Sequence, residues 1–123
     1  MSYKLDIIEN SAFLHVIVTG RNTKKNVIAY LKEVLQECVT RKYRKVLIEE
    51  RLVGRRLETF PVFEVVSGSS QDAVGKFDAI AYVDVNAEGS LMKFAETVAT
   101  NRGLPVVFFA TLAEAKKWLE EGT

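Results

Sequence analysis

Residues 26–50 read NVIAYLKEVLQECVTRKYRKVLIEE, and the change of period inside this stretch decides the fold. Val27, Ile28, Leu31, Val34, Leu35, Cys38 and Val39 recur at three- and four-residue spacings, which lays one apolar stripe along a helix expected over residues 23–42. From Lys45 to Glu50 the apolar residues instead run together as Val46-Leu47-Ile48, the pattern of a strand covered on both faces. Before the helix, Ala12 to Gly20 is a β-rich run, and two strands joined through a helix lie parallel. Further upstream, Tyr3 to Ile8 is joined to that run by Glu9-Asn10-Ser11, short and polar enough to close an antiparallel hairpin.

Downstream, Leu57 to Val66 is helical in pattern, and Ser67-Gly68-Ser69-Ser70 interrupts or ends it. Phe77 to Val85 reads as a fourth strand, and Leu91, Phe94, Ala95 and Val98 restore helical spacing until Gly103 and Pro105 stop it. Val106 to Phe109 is a fifth strand. Thr111 and Glu114 have capping-box spacing, with Leu112, Ala115, Trp118 and Leu119 as the buried face of a last helix. The order ββαβαβαβα, without repeat or low-complexity linker, predicts a single α/β domain over residues 1–123: a mixed five-stranded sheet with about four helices.

Composition sets the bounds on function. The 123 residues are 48% hydrophobic and 27% charged with a formal net charge of +1, and a chain of this length hides roughly two thirds of its unfolded surface, enough for a core without staples. One cysteine, Cys38, excludes an intramolecular disulfide, and with one histidine, His15, it leaves too few ligands for a Cys/His zinc cluster. No cofactor is implied. No apolar stretch approaches the roughly 18 residues of a membrane helix, and the N-terminus has no apolar signal core, so a cytoplasmic location is expected.

In an open α/β sheet, ligands and partners meet the loops at the carboxyl ends of the parallel strands. The second strand exits into Gly20-Arg21-Asn22-Thr23-Lys24-Lys25 and the third into Arg51-Leu-Val-Gly54-Arg55-Arg56, which gathers Arg21, Lys24, Lys25, Arg51, Arg55 and Arg56 on one edge. The fourth strand adds Asp84 and Asn86 and the fifth Thr111, whereas Arg41, Lys42 and Arg44 belong to the opposite edge, roughly 15 to 20 Å away at about 3.3 Å per residue. Residues 1–56 carry a net +6 and residues 57–123 a net −5. A cationic edge beside helix N-termini suits an acidic protein surface or a small anionic ligand, although solvated loop charges of this kind are common and need no function. A near-neutral chain without a basic stripe interleaved with aromatics is not a nucleic-acid binder.

The remaining candidates read as structure. His15, with Phe13 and Ile17 on its strand face, suits a satisfied structural histidine, and Cys38 within the helical stripe a small core residue. Glu49 and Glu50 point to opposite faces if both lie in the strand, which argues against a paired-carboxylate site; one of them can approach Asp84. The lysine and glycine spacing of a P-loop is missing around Ser67 to Ser70. Trp118, Phe108 and Phe109 are simplest as core. No nucleophile–base pair or metal constellation is present, so no enzymatic activity is expected.

The order of elements, the strand Val46-Leu47-Ile48, the strand Phe77-Asp-Ala-Ile-Ala-Tyr-Val83 and the ending Phe108-Phe109-Ala-Thr-Leu-Ala-Glu-Ala-Lys-Lys-Trp118-Leu119 resemble the SpoIIAA-like group of small bacterial proteins, relatives of the STAS (sulfate transporter and anti-sigma factor antagonist) domain. The resemblance implies a mixed sheet with helices chiefly on one side and a regulatory or protein-binding role rather than an enzymatic one. It also implies an Asp-Ser-Ser/Thr-Gly-like phosphorylation segment after the third strand. Here that region reads Arg51-Leu-Val-Gly-Arg-Arg-Leu-Glu-Thr59-Phe-Pro61 with no matching serine. Thr59 is the nearest hydroxyl, and its simplest role is a helix N-cap. Two expectations of function follow: a cytoplasmic regulatory module receiving an acidic partner surface on the basic edge, or a protein holding a phosphorylated, nucleotide or lipid-like anion at that edge or between sheet and helices. The opposite charge of the two halves would also suit a homodimer.

Overall fold

Strand β3, Lys45–Val53, is the middle strand of the sheet, and its two faces are both covered, as the unbroken apolar run at its start requires. The computed structural model describes residues 3–53, 74–84 and 89–121. Around β3 stand β1 (Tyr3–Glu9), β2 (Leu14–Arg21), α1 (Lys24–Arg41), β4 (Ala79–Asp84), α2 (Gly89–Asn101), β5 (Val106–Phe109) and α3 (Leu112–Glu121). The strands lie in the order β1-β2-β3-β4-β5. The β1–β2 hairpin is antiparallel, with Tyr3 opposite Gly20 and Glu9 opposite Leu14, and every other pairing is parallel. This is the mixed five-stranded sheet expected from the sequence. Three helices are described rather than about four, because the segments expected as a helix over 57–66 and as a Ser67–Ser70 interruption lie outside the described residues.

Parallel strands laid down in sequential order by right-handed crossovers put their connecting helices on one face. Accordingly α1 packs with Leu14, Val16, Val18, Val46, Ile48, Ile80 and Val106, joined on the same face by Ala99 of α2. The terminal helix α3 takes the other face, where Ala115 and Leu119 close over Phe13, Leu47, Ala79, Ala81 and Val83. Period-two alternation sorts the strand residues cleanly between these layers. Phe108 and Phe109 are both half-buried, stacked on Tyr82 in one layer and tilted against Trp118 in the other.

Two boundaries differ from the sequence expectation and bear on the site. Strand β3 continues three residues beyond Glu50, because Leu52 is 1% exposed and keeps the alternation, and Arg51 stands in register with Thr19. Arg51 is therefore a strand residue rather than a loop residue, and Arg21 is likewise the last residue of β2. Helix α1 is capped at both ends. Thr23, in extended backbone, accepts the Asn26 N–H at 3.1 Å. Lys42 adopts the left-handed conformation (φ 63°), so that its N–H reaches the Val39 carbonyl at 3.2 Å and the Tyr43 N–H reaches the Cys38 carbonyl at 2.9 Å. At α3, Thr111 accepts the Glu114 N–H at 3.2 Å, but the Glu114 carboxylate takes the Thr111 hydroxyl at 3.1 Å instead of the free backbone amide a capping box would use.

A side chain in the left-handed region costs about 1 kcal/mol relative to glycine. Lys42→Gly is therefore expected to raise the stability of the protein by about that amount, read as a higher denaturant midpoint; a lowered midpoint would show that the lysine side chain holds the turn.

Candidate functional site

The carboxyl ends of β2 and β3 are drawn together by the loop that leads into α1. Its Asn22 N–H donates to the Val53 carbonyl at 2.7 Å, and the Asn26 side-chain amide donates to the Arg21 carbonyl at 3.0 Å. Both asparagines are buried. Sequence reasoning passed over them, although an asparagine at each end of a short strand-to-helix turn is a recognisable signal of side-chain-to-backbone bonding.

Around this frame stand four of the basic residues expected at the edge. Arg21 and Arg51 are exposed on the sheet face opposite α1, while Lys24 and Lys25 occupy the first turn of α1. That turn contains no acidic residue, so both cations sit against the positive end of the helix dipole, where they cost helix stability rather than add to it. The register adds a residue that the sequence reading missed: Lys4 lies opposite Thr19, and Thr19 opposite Arg51, so one row crosses three strands on the exposed face. Hairpin register combined with strand parity would have found Lys4. Asp84 ends β4 directly opposite Glu50. Arg55, Arg56, Asn86 and Thr59 lie outside the described residues. At the far end of the sheet, Arg44 binds Asp78 at 3.2 Å, consistent with the expected separation of the two edges.

Behind the edge lie two buried carboxylates. Glu49 and Glu50 are 2% and 5% exposed and, as neighbours on one strand, point to opposite layers. Glu50 accepts hydrogen bonds from the Tyr30 hydroxyl of α1 and from the Tyr82 hydroxyl of β4, the latter at 2.6 Å. On the other face Glu49 bonds Nε2 of His15 at 2.9 Å and pairs with the Arg51 guanidinium. His15 is thus a satisfied histidine, and Cys38 belongs to the opposite layer, so the two do not meet. No group of three His, Cys, Asp or Glu side chains placed to hold a metal occurs among the described residues.

Burial, followed by the charge of Asp84, pushes the Tyr82 phenol well above its usual value. Burial, then the Glu37 carboxylate, raises the Cys38 thiol to about 12, against a smaller opposing effect of Arg41. The Glu33 carboxylate, through its hydrogen bond, holds the Tyr3 phenol at about 12. Between α1, α2 and the sheet there is also an apolar hollow of about 100 Å³ whose walls include Leu31, Leu35, Phe77, Leu104 and Phe108, with Lys32 beside it.

Two outcomes follow. Removing a buried carboxylate from its bonded partners is strongly destabilising, so Glu49→Ala is expected to cost about 3 kcal/mol in urea unfolding, and a cost below a few tenths would show that the His15 pair is dispensable. Alkaline pH tests the raised groups: Cys38, Tyr82 and Tyr3 ionise later in the folded protein than in the unfolded chain, so the unfolded state loses protons first and stability falls as pH rises. The loss begins near pH 9 for the thiol and near pH 10 for the phenols. Cys38→Ala should remove its first part, and a flat stability between pH 8 and 11 would contradict the raised values of the three groups.

No protein-family model matches the sequence, and no curated protein matches it. Solved structures do. The crystal structure of an anti-sigma factor antagonist from Mycobacterium paratuberculosis matches with a TM-score of 0.62 at 13% identity, covering 97% of this chain and 95% of that one. The NMR structure of the protein TM1081 matches with a TM-score of 0.52 at 12% identity, covering 93% of this chain and 86% of that one. At such identities the likeness is one of fold, and it spans nearly the whole of both chains: the chain has the fold seen in the structure of that anti-sigma factor antagonist.

Proposed function

We propose that this protein is a non-enzymatic regulatory module of a bacterial cytoplasm, a single domain that binds a protein partner in the manner of an anti-sigma factor antagonist. The observation that carries this reading is the shared fold over 97% of the chain. The contact surface is the basic edge, and the partner surface is acidic. Arg21 and Lys25 are its exposed cations outside the Glu49 pair, and the place of Lys25 in the first turn of a helix offers no structural gain that would account for it. Arg51 contributes less to a partner, because its guanidinium is engaged by the buried Glu49. Arg55 and Arg56 extend the edge in this reading, and Asp84 and Asn86 border it. The sequence after β3 lacks the serine of the phosphorylation segment, so binding is constitutive rather than switched at that position, with Thr59 the nearest hydroxyl.

A reversal of Arg51 would set a second carboxylate beside Glu49 and destabilise the fold, so the test uses residues clear of it. Arg21→Glu with Lys25→Glu is expected to keep the native melting temperature within a few degrees. The same pair is expected to abolish retention of an anti-sigma-type protein from lysate of the source bacterium, with retained proteins identified by mass spectrometry. Equal retention by the variant overturns the basic edge as the contact, and retention of no regulatory protein by the native chain overturns the function.

The apolar hollow favours a second reading, in which the first few methylene groups of a lipid-like anion enter the space between α1, α2 and the sheet, with its head near Lys32. Apolar cavities of this order admit small apolar molecules. Native mass spectrometry of freshly purified protein distinguishes the two: a discrete added mass above 13.8 kDa that Leu35→Trp removes supports the ligand, and a bare chain mass removes it.

A further inference from the structure

The two edges of the sheet are unlike. At β5 the Phe108 N–H is taken by the Glu96 carboxylate of α2 at 2.9 Å, so a side chain of the same molecule occupies that edge. At β1, among the described residues, the main chain of Lys4 to Ile8 bonds only to β2. Proteins blunt an edge strand with proline, bulges, brevity or charged side chains, and of these β1 carries only charge, on Lys4, Asp6 and Glu9, which a strand of matching charge can pair. Strand β1 is seven residues long, contains no proline, and pairs with β2 residue for residue without a bulge. It is also held in place before any partner arrives: the Tyr3 hydroxyl donates to Glu33 of α1 at 2.7 Å, Arg41 binds Glu9 at 2.6 Å, and the Tyr43 hydroxyl donates to the Asn10 carbonyl at 2.7 Å. A pre-formed edge pays little ordering entropy when a strand is added to it.

The side chains choose the strand that fits. In an antiparallel pair, opposed residues share a face, so a two-fold axis between two β1 strands must set one residue opposite its own copy. Through Lys4 it would oppose lysine to lysine, and through Asp6 aspartate to aspartate, both destabilising. Through Ile7 it would set Asp6 against Ile8 and Leu5 against Glu9. Through Leu5 it sets Lys4 against Asp6 of the other copy, twice, while Leu5 meets Leu5 and Tyr3 meets Ile7 on the α1 side. Tyr3, Leu5 and Ile7 are each half-buried in the single chain and Lys4 and Asp6 exposed, so the axis through Leu5 covers remaining apolar surface on one face and joins opposite charges on the other. Lys4 and Asp6 already lie 3.7 Å apart within the strand and need only turn outward. We propose that a second copy of this chain docks on β1, antiparallel about a two-fold axis through Leu5, and continues the sheet to ten strands.

Sedimentation of the full chain over a wide concentration range tests this. The native protein is expected to reach twice the 13.8 kDa chain mass, Lys4→Asp to fall to the single mass, and Lys4→Asp with Asp6→Lys to recover the doubled mass. Circular dichroism melts show that each variant is folded. Amide exchange at Lys4 to Ile8 supplies a readout without substitution, with protection in concentrated native protein that is lost on dilution. A native protein of single mass at every concentration overturns the proposal. So does a Lys4→Asp variant that stays paired, or a double variant that does not recover.

Discussion

Two adjacent carboxylates in the middle strand govern how the rest is put together. A carboxylate withdrawn from water costs several kcal/mol unless its oxygens are bonded, and Glu49 and Glu50 make that demand on opposite faces at consecutive positions. Glu50 is met by a hydroxyl from α1 and another from β4; Glu49 is met by a histidine from β2 and by the arginine two residues along its own strand. One helix and three strands must therefore be in register before both acids are satisfied. The Tyr30–Glu50 bond adds a directional contact to the apolar packing that seats α1 on the sheet.

These acids also change how the basic edge reads. Glu49, Glu50 and Asp84 all stand toward the carboxyl end of the parallel strands, and the cations around them are in part their counter-charge. Arg51 serves the interior first. Arg21 and Lys25 are exposed, and Lys25 stands at the positive end of the α1 dipole, where it does not stabilise the helix. Among the described residues the edge is therefore uneven: Arg51 is tied to a buried carboxylate, and Arg21 is not.

Much of this architecture was legible in the sequence, for physical reasons that can be named. The stripe from Val27 to Val39 and the run at Val46 to Ile48 carry different periods, and period is what burial on one face or on two imposes; the helix from Lys24 to Arg41 falls within a residue of its expected bounds at each end. The opposed directions of Glu49 and Glu50 followed from strand parity alone. The extension of β3 to Val53 did not, because a single buried Leu52 between charged and exposed neighbours gives too short an alternation to read. Nor did the partners of the acids: Tyr30 and Tyr82 are separated by 52 residues and look like ordinary core aromatics, and only the assembled sheet brings their hydroxyls to one oxygen. Of the basic edge, the sequence showed which residues share an end of the sheet but not which share a face, since that depends on the Lys4–Thr19–Arg51 register. For Arg55, Arg56, Asn86 and Thr59 the expectation remains one of sequence.

The order of the strands across the sheet is their order in the chain. A protein built this way never leaves a gap for a later segment to fill: each new strand finds its neighbour already present as the chain leaves the ribosome, and growth proceeds from one side only. The face carrying Phe13 and Leu47 is the exception, because α3, which covers it, follows all five strands in the chain. Until α3 has emerged, Ala115 and Leu119 are missing from that layer, and the apolar side chains they cover stay open to other contacts.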